Sequence, residues 1–200
     1  MKKTAAIFVW LLIVSFFVNA QDPHFSQFFA SPLTLNPAFT GKFDGTIRVA
    51  GNYRNQWPAF SNVYTTSTIS VDFDILKNKL PDYDRWGLGI IALTDRAGGG
   101  VLTSNYIGLS TSYHKALDED GFKQIGIGFQ GTYGQKKLDD SKLYFADQLT
   151  PYGFTGVTQE IFYEKNLNIN YLDVNAGVLF SASTDETNNF YLGASMYHIN

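Results

Sequence analysis

Side chains alternating between apolar and polar over runs of about nine to twelve residues are what most limits how this chain folds. Ile47, Val49, Gly51 and Tyr53 share one face of the first run, and Thr46, Arg48, Ala50, Asn52 and Arg54 share the other. The pattern recurs at Thr65–Phe73, at Ile107–His114, at Gln124–Tyr133, at Tyr171–Phe180 and at Phe190–Tyr197. Arg85–Thr94 has the same length but is apolar on both faces. A period of two is a strand signal. Globular strands average ~5–6 residues, whereas a tilted strand crossing a bilayer needs about 9–11. The expected fold class is therefore all-β: an antiparallel transmembrane β-barrel of the outer-membrane type. A secreted β-sandwich, with its apolar faces packed on one another, is the alternative.

The start of the chain agrees with export. Lys2 and Lys3 precede an apolar run from Ala5 to Val18, and Val18-Asn19-Ala20 has the small-x-small form of a cleavage site. Residues 1–20 are expected to be a signal peptide, and the mature chain to begin at Gln21. The run is shorter than the ~20 residues of a spanning helix, and no later stretch is long and apolar enough to be one. Cysteine is absent, which excludes disulfides, lipoprotein attachment and thiolate metal sites. A net charge of −3 with no dense basic patch argues against nucleic acid as a partner. Aromatic residues make up 16% of the chain and glycine contributes 18 residues, a β-sheet composition.

Energetics assign the faces. An arginine facing lipid at mid-membrane costs about 2–4 kcal/mol. Arg48 and Asp72 are therefore expected to point inward, and Ile47, Val49, Val71 and Phe73 outward. Tyr53, Trp57, Trp86, Tyr113 and Tyr133, near segment ends, suit interfacial girdles. The one very long connection, Gln135–Asn168, is expected outside the cell, with Gln21 on the periplasmic side. Seven segments are too few to close: barrel walls in lipid leave no open edge, and bacterial single-chain barrels use even strand numbers. Residues 43–200 are expected to be the N-terminal part of a larger barrel of about 14 strands, or to need a partner.

No catalytic set, cofactor site or metal site is expected. Gly126-Ile127-Gly128-Phe129-Gln130-Gly131 matches a dinucleotide-binding pattern, but it lies within a strand instead of opening a helix. Strand glycines commonly mark a bend or the close approach of another backbone. His24, His114 and His198 are far apart in sequence, and Asp118-Glu119-Asp120-Gly121 lacks the ligand spacing of a calcium loop.

One stretch carries a family signature. Asp22, Pro23, Phe25, Ser26 and Gln27 form D-P-x-F-S-Q, and Ser31, Pro32, Asn36, Pro37, Ala38 and Gly41 form S-P-x-x-x-N-P-A-x-x-G. Tyr53-Arg54-Asn55-Gln56-Trp57-Pro58 and Ser70-Val71-Asp72 follow, then Leu143-Tyr144-Phe145-Ala146-Asp147-Gln148. In order and spacing these motifs resemble the PorP/SprF family of the type IX secretion system. The resemblance implies a non-enzymatic outer-membrane protein that aids export or anchoring of large surface adhesins, in some bacteria for gliding motility. Its implied partners are outer-membrane lipid, a secreted adhesin and other secretion components. A generic outer-membrane channel or hydrophobic-solute transporter is the runner-up, and an outer-membrane hydrolase a third reading.

Residues 21–42 are expected to be extended, because each proline restricts its predecessor, with a turn at Asn36-Pro37. Phe25, Phe28, Phe29, Leu33 and Leu35 would be the apolar anchors. Such a segment would plug or cap the lumen, or face a partner. Arg54, Gln56 and Trp57 would either anchor a loop or form a recognition surface.

Overall fold

A computed structural model describes residues 25–59, 63–77, 79–160, 167–183 and 188–200. The expected signal peptide, and Asp22 and Pro23 of the first motif, lie outside the described residues. Seven long strands form one antiparallel sheet: β1 (Ile47–Gln56), β2 (Tyr64–Ile75), β3 (Arg85–Ala97), β4 (Leu102–Ala116), β5 (Lys123–Leu138), β8 (Asn168–Ser183) and β9 (Asn189–Met196). Their order is β1-β2-β3-β4-β5-β8-β9, so each long strand pairs with the next in sequence. The connection after β5 carries a small hairpin, β6 (Leu149–Thr150) with β7 (Gly153–Phe154).

The burial pattern is that of a barrel wall turned inside out relative to a soluble protein. In β5, Gln124, Gly126, Gly128, Gln130 and Thr132 are buried while Ile125, Ile127 and Phe129 are exposed. In β2, Thr66, Thr68, Ser70 and Asp72 are buried while Ile69, Val71 and Phe73 are exposed. The buried hydrophobic residues among those described are only Leu33, Ala38, Ile91 and Leu179. A sandwich would bury the outer set against a second sheet. Here that set forms a continuous apolar exterior and the polar set faces inward, as in a half-barrel of the outer-membrane kind.

The expected faces are found. Asp72 is fully buried, while Ile47 and Val49 lie outside. Tyr53, Trp57, Trp86, Tyr113 and Tyr133 are all exposed. Trp86 and Tyr113 are register partners at the end of β3 and β4 opposite their connecting turn, with rings edge to face. Trp57 meets Tyr64 likewise, just beyond the other end of β1. The apolar inner face of β3 also has its explanation. Its inward positions include Gly87, Gly89 and Ile91, and a side chain at Gly89 would press on Leu33 of the preceding segment.

The N-terminal segment departs from expectation. It is not extended but folds into three successive helical turns, at Phe28–Ala30, Pro32–Leu35 and Pro37–Phe39. Proline disfavours helix for its predecessor yet is preorganised for the first helical position. Pro32 and Pro37 both use that second property. Asn36 caps the third turn, its side-chain oxygen accepting the Ala38 N–H at 2.8 Å.

Candidate functional site

The helical turns lie against the concave, polar face of the sheet, and their contacts are mainly hydrogen bonds. Asn36 Nδ2 donates to the carbonyls of Val178 (3.1 Å) and Ala194 (3.3 Å), across β8 and β9. Ser195 Oγ donates to the Leu35 carbonyl, and Tyr197 OH to that of Thr34, both at 3.0 Å. On the other flank Asn52 Nδ2 donates to the Ala30 carbonyl at 2.8 Å. Beneath the segment the Thr40 and Ser110 hydroxyls share a hydrogen bond, and Ser112 Oγ donates to the Thr40 carbonyl. The segment is thereby tied to β1, β4, β8 and β9 through groups that the wall turns inward.

Close approach is possible because the wall is thinned with glycine beneath it. A Cβ at Gly128 would overlap the Ala38 nitrogen and the Pro37 carbonyl carbon. One at Gly177 would overlap the Asn36 side chain, and one at Gly87 the Thr40 carbonyl. Gly131, on the outer face, has nothing within 4 Å of an added Cβ. The glycines of the G-x-G-x-x-G stretch therefore divide by parity. Gly126 and Gly128 are buried, and Gly128 seats the segment.

An ion pair closes the end of the seat. Arg48 grips Asp72 with two nitrogens, Nε to Oδ1 at 2.9 Å and Nη2 to Oδ2 at 2.7 Å. The same carboxylate accepts the Gly41 N–H at 2.8 Å, and Arg48 Nη2 also donates to the Phe39 carbonyl at 2.9 Å. Gly41 has φ +69°, a conformation glycine adopts without the usual penalty. Arg85 donates to the Phe43 carbonyl at 2.7 Å, and Lys42 Nζ reaches Gln124 Oε1.

Burial, reinforced by the Arg85 charge, lowers Lys42 to about 8; Asp44 and Asp74 oppose that shift. An undocked Lys42 would titrate near ~10.4. Between those values the undocked segment binds more protons, so docking strengthens as pH rises from 8 and weakens as pH falls back through the window. Amide protection of residues 36–41 is expected to rise between pH 8 and 9.5 in the wild type and to stay flat in Lys42→Met. Equal profiles for the two proteins would refute this coupling.

The motif residues therefore have different fates. Asn36, Pro37, Ala38 and Gly41 converge in the seat. Ser26 and Gln27 are exposed. Of the expected apolar anchors only Leu33 is buried, with Phe25 half-buried and Phe28, Phe29 and Leu35 exposed. The receiving surface is polar, so polar groups do the anchoring. Arg54 turns inward, with Nη2 donating to Thr66 Oγ1 at 3.0 Å and its guanidinium over the Phe25 ring. Gln56 is half-buried at the end of β1. Trp57 faces outward with φ 57°. Arg54 thus contacts the segment, and Trp57 points away from it.

Sequence reasoning missed Ser110, Ser112, Ser195 and Tyr197 as seat residues. The available signal was the inward parity of small hydroxyl side chains, which periodicity alone reads as wall lining. The expected Leu143–Gln148 motif organises the long connection. Asp147 accepts from Thr158 Oγ1 and from the Gln159 N–H, and Gln148 Oε1 accepts the Phe145 N–H.

A family model described as type IX secretion system membrane protein PorP/SprF matches residues 17–200. No curated protein and no solved structure matches the chain.

Proposed function

Because the chain belongs to the PorP/SprF family of type IX secretion system membrane proteins, we propose that it acts by binding, as an outer-membrane component that helps export or anchor large surface adhesins. The observation that carries this reading is the inner face of the wall. It is built to receive polypeptide: glycines admit a backbone, and the Asn52 amide and the Ser112 and Ser195 hydroxyls of the wall donate to that backbone's carbonyls. Catalysis instead needs a nucleophile or an acid–base pair poised toward open space.

In this reading the apolar exterior keeps the protein in the outer membrane. The segment Phe25–Gly41 acts as a plug on the periplasmic side, and the connection 139–167 lies at the cell exterior. An adhesin, as in gliding-type systems, engages the loops or the periplasmic turns, while other secretion components dock alongside.

Affinity purification of the tagged full chain from outer membranes tests this. A large secreted adhesin is expected to co-purify, and to be depleted at least tenfold by Trp57→Ala or by replacing residues 25–41. If no secreted protein co-purifies and the chain instead conducts ions or apolar solutes across liposomes, the channel reading replaces this one.

A further inference from the structure

On the outward face of β3, β4 and β5, register partners form rungs that change character along the wall. Trp86, Tyr113 and Ile127 make one rung, at the end away from the 139–167 connection. The rungs beyond it are mainly apolar as far as Ala92, Ile107 and Tyr133. Thr94, Asn105 and Gln135 come next, then Arg96, Thr103 and Lys137. Trp86 and Arg96 are ten residues apart on one strand, about 33 Å at ~3.3 Å per residue. A tilt of ~40° reduces that to about 25 Å along the membrane normal, the height of an outer-membrane apolar band. With the aromatic rung at one interface, Arg96 and Lys137 stand at headgroup level on the other.

There, with Thr103, Asn105, Gln135 and Lys142, they line a groove of about 390 Å³. All three cations are exposed. Lys142 Nζ lies 3.2 Å from Asp139 Oδ2. Arg96 and Lys137 pair with no acid among the described residues. Asp95, next to Arg96 in sequence, turns into the wall and accepts the Thr66 hydroxyl. Asp139, the one acid lining the groove, also accepts Ser141 Oγ at 2.6 Å. Asp140 borders an adjoining hollow that Lys137 also lines. Three cations against one carboxylate leave the groove positive. The opposite rim differs: Lys115 there lies near the Asp84 carboxylate, which also accepts the Tyr113 hydroxyl at 2.6 Å.

We infer that this groove binds the phosphate of an outer-leaflet lipid, whose acyl chains run down the apolar rungs beside it. An arginine fork grips phosphate through two parallel hydrogen bonds, and lysine adds a compact positive charge. Thr103 stands between Arg96 and Lys137 with a hydroxyl. Asn105 Oδ1 accepts Thr94 Oγ1 at 2.7 Å, which leaves its Nδ2 as a donor. Ile107 and Tyr133, exposed on the next rung, continue the site onto hydrocarbon. The choice of leaflet rests on placing the 139–167 connection at the cell exterior, and nothing in the site depends on adhesin handling. Free phosphate shares the headgroup chemistry but has no use for the apolar rungs.

Native mass spectrometry of the full chain, released from amine-oxide micelles, tests the site. The probes are diphosphoryl lipid A, its dephosphorylated form and inorganic phosphate. One diphosphoryl lipid A is expected to be retained, at least tenfold more tightly than the dephosphorylated lipid. Arg96→Gln combined with Lys137→Gln changes two exposed side chains and should weaken retention tenfold or more, whereas Lys115→Gln should not. Equal retention of the two lipids, retention unaltered in the double variant, or an equal loss in Lys115→Gln would overturn the assignment. Displacement of the lipid by excess inorganic phosphate would make the groove a free-phosphate site and overturn it too. The leaflet is read separately. The chain has no cysteine, so Tyr152→Cys, in the exposed connection, offers a single thiol. It is expected to react with an impermeant maleimide on intact cells. Labelling without phosphate selectivity would overturn the groove alone, and phosphate selectivity without labelling would overturn the leaflet alone.

Discussion

Gly128→Val is expected to expel residues 36–40 from the wall. The new Cβ would meet backbone atoms of Pro37 and Ala38, not the movable tip of a side chain. Neither partner gives way easily, since Ala38 N is bonded to Asn36 and β5 is paired on both sides. The penalty therefore exceeds the about 1–3 kcal/mol of ordinary core overpacking. Expulsion should make residues 28–42 cleavable by an added protease in detergent. It should also leave the strands intact, because the outer face and the ladders do not change. Gly131→Ala, in the same strand with free space outside, is the matched control and should remain resistant. Equal protease resistance of Gly128→Val and wild type would show that the segment is not seated on β5.

Removing the Asp72 carboxylate has the second large effect. Asp72→Ala leaves Arg48 without its two charged hydrogen bonds and the Gly41 N–H without an acceptor. Breaking one member of a buried pair typically costs about 3–5 kcal/mol. Arg48 keeps some solvent contact at 22% side-chain exposure, which places the loss near about 3 kcal/mol, or roughly a hundredfold in the folding equilibrium. Urea unfolding in vesicles, followed by tryptophan fluorescence, reads it. The double variant Arg48→Met with Asp72→Leu should recover much of the loss, because no charge is then stranded. Arg48→Lys, with Asp72 intact, should itself lower the midpoint, since a point charge cannot reproduce the two-pronged grip. A midpoint in Asp72→Ala equal to wild type would contradict this account.

The wall was legible in the sequence because its two environments differ so sharply. Facing acyl tails or an aqueous lumen leaves a two-residue rhythm that no other force disturbs, and Arg48, Asp72, Ile47 and Val71 lie on the faces that solvation energetics chose. The helical turns at 28–39 were not legible. Proline disfavours helix for the residue before it and favours helix from itself onward, and the surface beneath decides which tendency prevails. Anchoring was misjudged for a related reason. Phe28, Phe29 and Leu35 read as buried because apolar residues usually are, but the surface that receives the segment is polar. The seat glycines showed themselves as a motif without a purpose. Their role required knowing that Asn36 and Pro37, some ninety residues or more away in sequence, come to rest on Gly128 and Gly177.

Alternation has a last consequence, for how such a protein can change over time. Odd and even positions of a single strand answer to separate masters, one to the hydrocarbon and one to the guest within. Substitutions at Ile127 or Phe129 can drift among greasy residues while Gly128 between them stays fixed, and the reverse holds where Ser110 sits beside Leu109. Variation among kin of this chain should therefore separate by position parity. What each protein accommodates inside can diversify without renegotiating its place in the bilayer.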